Sequence, residues 1–492
     1  MERAAADEKR SSGAALLAKA EPLPLRTKLA NGVGAVAFGV KDNGFAVFLL
    51  LYYNQVLGMD AALVSLALML ALFIDAFFDP LLGNLSDRTY TRWGRRLPWL
   101  YAAAVPLAVM WALLWAPPLG EEPSFWGLLA LAVSVRLLLS MVEVPSVALV
   151  PELTRDYDER TDLFRWRFLF AWAGGLFMLV LAYQVFLADG LLRAEGYRQF
   201  GLFGAALMLA AILGSALMLH RQIARLPAHK PPPFAFGKAF TEIKEAFSER
   251  AFLILAAGGI AAYVSQGITF ALSNYLYLFV WNFTPETFTL YPLVLFASVL
   301  FVFVTVQPLH RRWGKPRSAA AMALIGLAFW LTPYILYLFG AWPRIGTFES
   351  SALVFLFLFV SNWAAVVTLL SSSSMVAEIV EAFEERTGRR AEGSFYSGNW
   401  FIQKCAGGIG IFTAGMILAA AGLPEGATPG AVPAGIVEAL ILIYGGVILV
   451  LALITAYWYV RFPIKREDHE RRLAALAAEA ARSPSGTGST PP

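Results

Sequence analysis

Apolar residues run along this chain in long blocks, not in the short alternation of a half-buried strand or the one-sided stripe of a surface helix. Bounded by charges, Pro or Gly, the blocks fall near 30–57, 60–86, 98–117, 124–150, 163–188, 199–221, 251–282, 287–309, 318–340, 349–380, 393–422 and 433–462. Cores of soluble domains give runs of about 10–14 residues, whereas a bilayer demands about 20 in succession. In hydrocarbon a single segment must satisfy its own backbone N–H and C=O groups, which only a helix does. The pattern predicts an all-α membrane protein with twelve transmembrane helices.

Polar connections between the blocks alternate in kind. RTYTRWGRR, TRDYDERTD, the 222–250 stretch, HRRWGKPR and FEERTGRR are rich in Arg and Lys, while the other set holds only Arg193, Arg198 and Arg344. Positive charge is retained on the cytoplasmic side during insertion, which assigns both termini and the 222–250 connection inside. The expected organisation is a cytoplasmic tail 1–29, a six-helix bundle 30–221, a linker 222–250, a second six-helix bundle 251–462 and a cytoplasmic tail 463–492. RWG followed by basic residues and Pro stands after the second block and returns after the eighth, which suggests two repeated halves in a 6+6 arrangement. Such a bundle places its substrate cavity at mid-membrane between the halves.

Composition narrows the function. Of 492 residues 58% are hydrophobic and 15% charged, where soluble domains carry about 25% charged residues. A single cysteine, Cys405, excludes a disulfide framework, and His220, His229, His310 and His469 fall at block ends or in connections, which disfavours haem, metal-cluster and redox chemistry. Neither a cofactor nor a nucleic-acid partner is expected, and no nucleophile, base or metal set points to an enzyme. The polar N-terminus lacks an apolar core and reads as a soluble tail, not a cleaved signal peptide.

Ionisable side chains inside the blocks carry the functional signal, because each costs several kcal/mol at the bilayer centre unless it faces a cavity or a partner. Lys41 and Asp42 sit in the first block; Asp75 and Asp79, four residues apart in the second, share one helix face. Arg136, Ser140 and Glu143 share a face of the fourth, Arg167 opens the fifth, Glu378 and Glu381 close the tenth, and Lys404 lies in the eleventh. Two like charges on one face persist by sharing a proton, binding a cation or meeting a base. Asp75 and Asp79 therefore form either an ion-coupling site, to which Ser140 adds a hydroxyl, or a lock with Arg136 and Lys404 that joins helices. Tyr52, Tyr53, Gln266, Asn274, Tyr275, Tyr396, Asn399 and Gln403 are candidates for cavity contact or helix-to-helix bonding. Trp99, Trp111, Trp126, Trp281 and Trp458 read as lipid-facing or interfacial.

These elements resemble the melibiose-permease family, the glycoside-pentoside-hexuronide:cation symporters of the major facilitator superfamily. The resemblance rests on Lys41-Asp42, DAFFDPLLGNLSDRTYTRWGRRLPW at 75–99, SMVEVP at 140–145, DERTDLFRWRF at 158–168 and AEIVEAFEERTGRRAEGSFYSGNWFIQKCAGG at 377–408. It implies that Asp75 and Asp79 hold the coupling cation, with Ser140 where the family can place Thr and Lys404 beside them. It implies that Asp42 and Glu143 accept hydrogen bonds from a polyol, with Arg167 as a charged partner; Tyr53, Gln266 and Asn399 join the substrate-binding candidates as polar groups within spans, and Lys41 either joins them or neutralises Asp42 or another nearby acid. Segments 83–96 and 382–392 resemble gating loops, in which Asp87, Arg92, Arg95 and Arg96 would hold an inner gate shut.

Departures from the family pattern bear on ion and solute. Phe78 replaces an Asn just before the second acid, Val147 stands where sugar-binding members place a stacking Trp, and Leu369 stands near another absent aromatic. Alignment at Arg167 needs a one-residue shift. Arg136 is an added charge at about the depth of Asp75, assigned to gating or to a built-in cation. The expected function is H+- or Na+-coupled symport of a small organic solute, a sugar or glycoside, by a monomeric, multi-pass inner-membrane protein. The alternatives are a carrier of an amphipathic non-sugar solute and a non-transporting sensor of the same fold.

Overall fold

A computed structural model describes residues 23–117, 123–154, 156–224, 246–388 and 391–464, together with Lys244. Most of the expected N-terminal tail, nearly all of the C-terminal tail and most of the linker, with His229 and His469, lie outside the described residues. Among the described residues twelve helices of membrane length follow one another: α1 Leu25–Val56, α2 Ala61–Asp87, α3 Leu97–Trp115, α4 Phe125–Leu153, α5 Glu159–Phe186 and α6 Ala194–Ile223, then α7 Arg250–Val280, α8 Pro285–Trp313, α9 Lys315–Leu338, α10 Phe348–Thr387, α11 Glu392–Ala421 and α12 Ala434–Val460. Twelve crossings return the chain to the face it started from, hereafter the terminal face; the opposite one is the far face.

Several helices outrun their apolar blocks. α10 continues through Glu381–Thr387 because its ends are set by backbone chemistry, not hydropathy. At its start the Thr347 side chain accepts from Ser350 N, and at its end Gly388 takes φ +67, a left-handed conformation open to glycine. Asp60, Ser124, Asp156 and Thr284 cap α2, α4, α5 and α8 in the same way.

The two halves repeat one another in register. α1 ends in the π-helical turn Tyr52–Val56 and α7 in the π-helical turn Leu276–Val280. Leu57 N and Met59 N donate to Tyr52 O and Tyr53 O, and Trp281 N and Phe283 N donate to Leu276 O and Tyr277 O. α2 and α8 then begin at Ala61 and Pro285, keeping the same offset. In this register Asp42 of the first half corresponds to Gln266 of the second.

Within the first half α3 packs on α6 and α4, α2 on α4, and α1 on α5; within the second α10 packs on α9 and α8, and α12 on α7 and α9. The seam between halves is made by α2 with α11, by the far half of α1 with α7, and by the far end of α5 with α8. Glycine lets backbones meet without a side chain between them, the usual device where lipid offers no hydrophobic drive. A Cβ on Gly410 of α11 would overlap the Val264 carbonyl and approach Gly267 Cα of α7.

Two of the tryptophans expected at lipid surfaces are interior. Trp111 is fully buried with Trp115, Phe200 and Phe45, and Trp281 is buried against Tyr334, Tyr337 and Trp342. Side chains this large fill the wide gaps between helices that small residues elsewhere close. Trp126 remains outward and strongly exposed.

Candidate functional site

α2, α4 and α11 bring five polar side chains to one point at mid-span. Asp75, only 3% exposed, accepts the Ser140 hydroxyl on Oδ1 at 2.6 Å. Its Oδ2 accepts from Arg136 Nη1 at 3.3 Å and from Lys404 Nζ at 2.9 Å. Lys404 also bonds Asp79 Oδ2, while Asp79 Oδ1 is buried and has no partner. The helical spacing of Asp75 and Asp79 puts both acids on the α2 face that meets Lys404, one turn apart. The guanidinium of Arg136 lies over the Phe45 ring of α1, 4.5 Å from its centroid. Asp75 and Arg136 are sealed from water, whereas the side chains of Asp79 and Lys404 are 28% and 23% exposed. The sequence left two roles open for this cluster, coupling site or helix lock; the geometry gives Asp75 the surroundings of a lock and leaves Asp79 within reach of solvent. It also places Arg136 inside this cluster and not with the charges at the terminal face, where the gating reading would have it.

Around this cluster the remaining predicted residues separate. Asp42 of α1 pairs with Lys41 at 2.7 Å, yet its side chain is 69% exposed in mid-span. Glu143 of α4 is half-buried, and among the described residues its carboxylate has no hydrogen-bond partner. Gln266 of α7 and Asn399 of α11 are half-buried as well, Asn399 beside the Tyr263 hydroxyl. Arg167 is turned back into its own half. Its Nη2 donates to Ser146 Oγ at 2.9 Å and its Nη1 to Asn31 Oδ1 at 3.4 Å, with the Phe38 ring 5.7 Å away. Tyr53 is not at the cavity at all: it is fully buried and its hydroxyl donates to the Leu114 carbonyl of α3 at 2.9 Å. An aromatic ring bearing one hydroxyl is satisfied by a single carbonyl, so α3 suffices to hold it.

The far face is closed by bonds that cross between the halves. Asn274 of α7 donates to the Val47 carbonyl of α1 at 3.1 Å and accepts the Tyr183 hydroxyl of α5 at 2.6 Å. Tyr275 donates to Asn54 Oδ1 at 2.9 Å, and Gln55 both donates to the Pro424 carbonyl at 3.1 Å and accepts from Ala427 N at 2.9 Å. Tyr183 stacks on Phe288 of α8, with ring centroids 5.1 Å apart. Asn274 and Tyr275, taken from sequence as candidates for a cavity or a helix bond, are thus helix bonds of this seal. Asn54, Gln55 and Tyr183 were not singled out; their signal was a polar side chain close to the apolar end of a span. With this end shut, Asp42 nevertheless remains exposed at mid-span.

At the terminal face, Glu152 of α4 accepts from Arg95 Nε at 2.9 Å and Arg96 Nε at 3.0 Å, and Arg96 also bonds Asp87. All four residues belong to the first half, so these ion pairs brace α2, α3 and α4 against each other and do not bridge the halves in this state. Arg92 lies over the Trp93 ring, 5.4 Å from its centroid. The second half has its own counterpart, Lys315 with Glu378 at 2.8 Å.

Twelve helices in two repeated halves, with charged side chains gathered at mid-span where α2 of one half meets α11 of the other, define a membrane transporter of the major facilitator fold. The solved structure of a bacterial homologue of the human lysosomal transporter Spinster superposes with a TM-score of 0.65 at 15% identity, over 90% of this chain and 97% of that one. A profile of the MFS/sugar transport protein family matches residues 30–466, and the chain belongs to that family. Among its relatives are the uncharacterized symporter sll1374 of Synechocystis, 29% identical over 82% of this chain and 87% of that protein, and the inner membrane symporter YicJ of Escherichia coli, 26% identical over 82% and 84%. The chain is a multi-pass membrane protein of a transporter family, not an enzyme.

Proposed function

We propose that this protein is a cation-coupled symporter of a neutral, polyhydroxylated solute, a sugar or glycoside, that works by alternating access in the inner membrane with both termini in the cytoplasm. The terminal face is then cytoplasmic and the structure is the inward-open state. One observation carries the solute class: Lys41, Arg136, Arg167 and Lys404 stand against Asp42, Asp75, Asp79 and Glu143, four cations to four carboxylates within the spans of α1, α2, α4, α5 and α11. A balanced constellation gains nothing from a charged solute, which would add an uncompensated charge at mid-membrane. Asp42, exposed at mid-span, and Glu143, whose carboxylate has no hydrogen-bond partner among the described residues, are acceptors for hydroxyl groups, and Gln266 and Asn399 offer amides from the other half. The family to which the chain belongs and its symporter relatives support the same reading.

Coupling would pass through the α2 acids. A ligand shifts a two-state equilibrium only by its differential affinity for the two states, so a cation must meet this site differently when the halves rock. Lys404 supplies such a difference, because it is the second half's contribution to a site otherwise built by the first. Uptake of labelled sugars into proteoliposomes under imposed ion gradients tests the proposal, after a screen of unlabelled solutes for thermal stabilisation of the purified protein. Solute accumulation against its gradient supports it; a protein that binds and moves no polyol under any gradient refutes it.

A further inference from the structure

The family resemblance implies an exchangeable cation, H+ or Na+, between Asp75 and Asp79. A sodium ion is hard and takes a shell of oxygens with no competing positive charge in it. Here both oxygens of Asp75 are engaged, Oδ1 by the Ser140 hydroxyl at 2.6 Å and Oδ2 by Arg136 at 3.3 Å and Lys404 at 2.9 Å. The residue before Asp79 is Phe78, which brings no oxygen and is itself exposed. Oδ1 of Asp79 is the one carboxylate oxygen of the pair left without a partner. One oxygen does not make an alkali-cation shell. Charge gives the same answer: in this state two carboxylates are already matched by two side-chain cations, so an added Na+ would leave the cluster with an excess positive charge at mid-span.

Lys404 is shared with Asp79 and comes from the opposite half, so it can withdraw when the halves separate. Arg136 cannot. It sits on α4 of the same half as Asp75, is 6% exposed, and is clamped between the carboxylate and the Phe45 ring at 4.5 Å. We propose that Arg136 is a tethered cation that permanently occupies the alkali-ion position at Asp75, so that this transporter takes no Na+ and its solute accumulation is independent of the Na+ gradient. The transport half of that statement rests on the symport reading above; the binding half does not.

The test is direct Na+ binding to the purified full-length protein, read by retention of radioactive sodium and by the unfolding midpoint as choline is replaced by Na+ at constant ionic strength. Wild type is expected to show neither saturable retention nor a Na+-dependent midpoint. Arg136→Gly, and Arg136→Gln as a second variant that keeps more of the side-chain volume, are expected to gain saturable Na+ binding that Asp75→Asn abolishes. Saturable binding by wild type that is lost in Asp75→Asn overturns the proposal, as does a folded variant without Arg136 that still binds no Na+. If neither variant folds, the wild-type result decides alone. In proteoliposomes, accumulation unchanged by an imposed Na+ gradient is the expected outcome and stimulation by it overturns the proposal. Absence of all solute uptake would instead refute the symport reading and leave the binding result standing.

Discussion

Lys404 of α11 bonds Asp75 and Asp79 of α2 together, and so spans the seam between the two halves at mid-membrane. The other bonds described above across that seam lie at the far face, between neutral side chains or from a neutral side chain to a backbone carbonyl or amide. The molecule is thus held shut at one end by hydrogen bonds and joined at its middle by charge. Any rearrangement that opens the far face and closes the terminal face pivots on the α2–α11 contact. The ionic state of the α2 acids and the position of the second half are for this reason coupled physically.

Removing the ammonium tests that coupling. Lys404→Gln leaves Asp79 with no ionic partner and Asp75 with Arg136 alone. Breaking a buried pair costs about 3–5 kcal/mol, and the partial exposure of Lys404 places this substitution at the low end. Solute accumulation in proteoliposomes should fall at least about tenfold, the equivalent of about 1.4 kcal/mol, while solute binding to the purified protein persists. Accumulation at the wild-type level would show that the seam charge does not transmit coupling.

Asp79→Asn probes the same seam from the other side. It keeps the shape of the acid and removes the charge that Lys404 bridges, and its effect should separate accumulation from exchange. Uphill uptake is expected to be lost while exchange of labelled for unlabelled solute continues, because exchange needs no net ion movement. Loss of both together would assign Asp79 to solute binding or to folding instead.

Much of the architecture was legible because hydrocarbon enforces a simple code: span length, basic connections and the returning RWG motif are all written in local residue order. The acid pair and its partners Ser140, Arg136 and Lys404 were legible for the same reason, since a charge in an apolar block stands out. What could not be read was direction. Tyr53 and Arg167 lie on cavity helices, yet both turn into their own half, toward the Leu114 carbonyl and toward Ser146 and Asn31. Hydropathy fixes where a residue sits along the span but not which neighbour its face meets. Glu152 was missed because it sits at the polar end of a span, where an acid draws no notice, although it anchors both Arg95 and Arg96.

The far seal is expected to yield to loss of its hydrogen bonds. Tyr275→Phe removes the hydroxyl that bonds Asn54 and the Leu50 carbonyl, and Asn274→Ala the amide that bonds the Val47 carbonyl and Tyr183, each substitution costing about 1 kcal/mol or more. Together they would shift the balance toward the outward-open state by about thirtyfold, taking about 2 kcal/mol as the sum. In a Cys405→Ala background, Ala46→Cys places a thiol on α1 one turn beyond Asp42 toward the far face. Its labelling by a membrane-impermeant maleimide added from the far side should rise in the double variant. Equal labelling in both backgrounds would mean that other contacts hold the seal.

Glu143 and Arg167 allow solute contact to be separated from internal structure. Glu143→Gln alters a carboxylate that has no hydrogen-bond partner among the described residues, so stability should change by less than about 0.5 kcal/mol, while the solute concentration for half-maximal uptake rises about tenfold or more. Arg167→Ala leaves the Ser146 hydroxyl and Asn31 amide without their shared partner in a buried place. It should lower the unfolding midpoint markedly, before any effect on solute is measured. Opposite behaviour of the two variants would exchange their roles.

Glycine contacts give a prediction independent of function. Gly410 of α11 lies where a Cβ would overlap the Val264 carbonyl of α7, and neither backbone can give way without moving a helix. Gly446 of α12 has open space in the same position. Gly410→Val is therefore expected to abolish the folded form in detergent, since overpacking against rigid backbone costs about 1–3 kcal/mol or more. Gly446→Ala should fold normally and gain up to about 1 kcal/mol from helix propensity alone. Size-exclusion profiles and unfolding midpoints of the two variants, made side by side, check the contrast. A well-folded Gly410→Val would mean that α7 and α11 are not locked face to face and can slide past one another during transport.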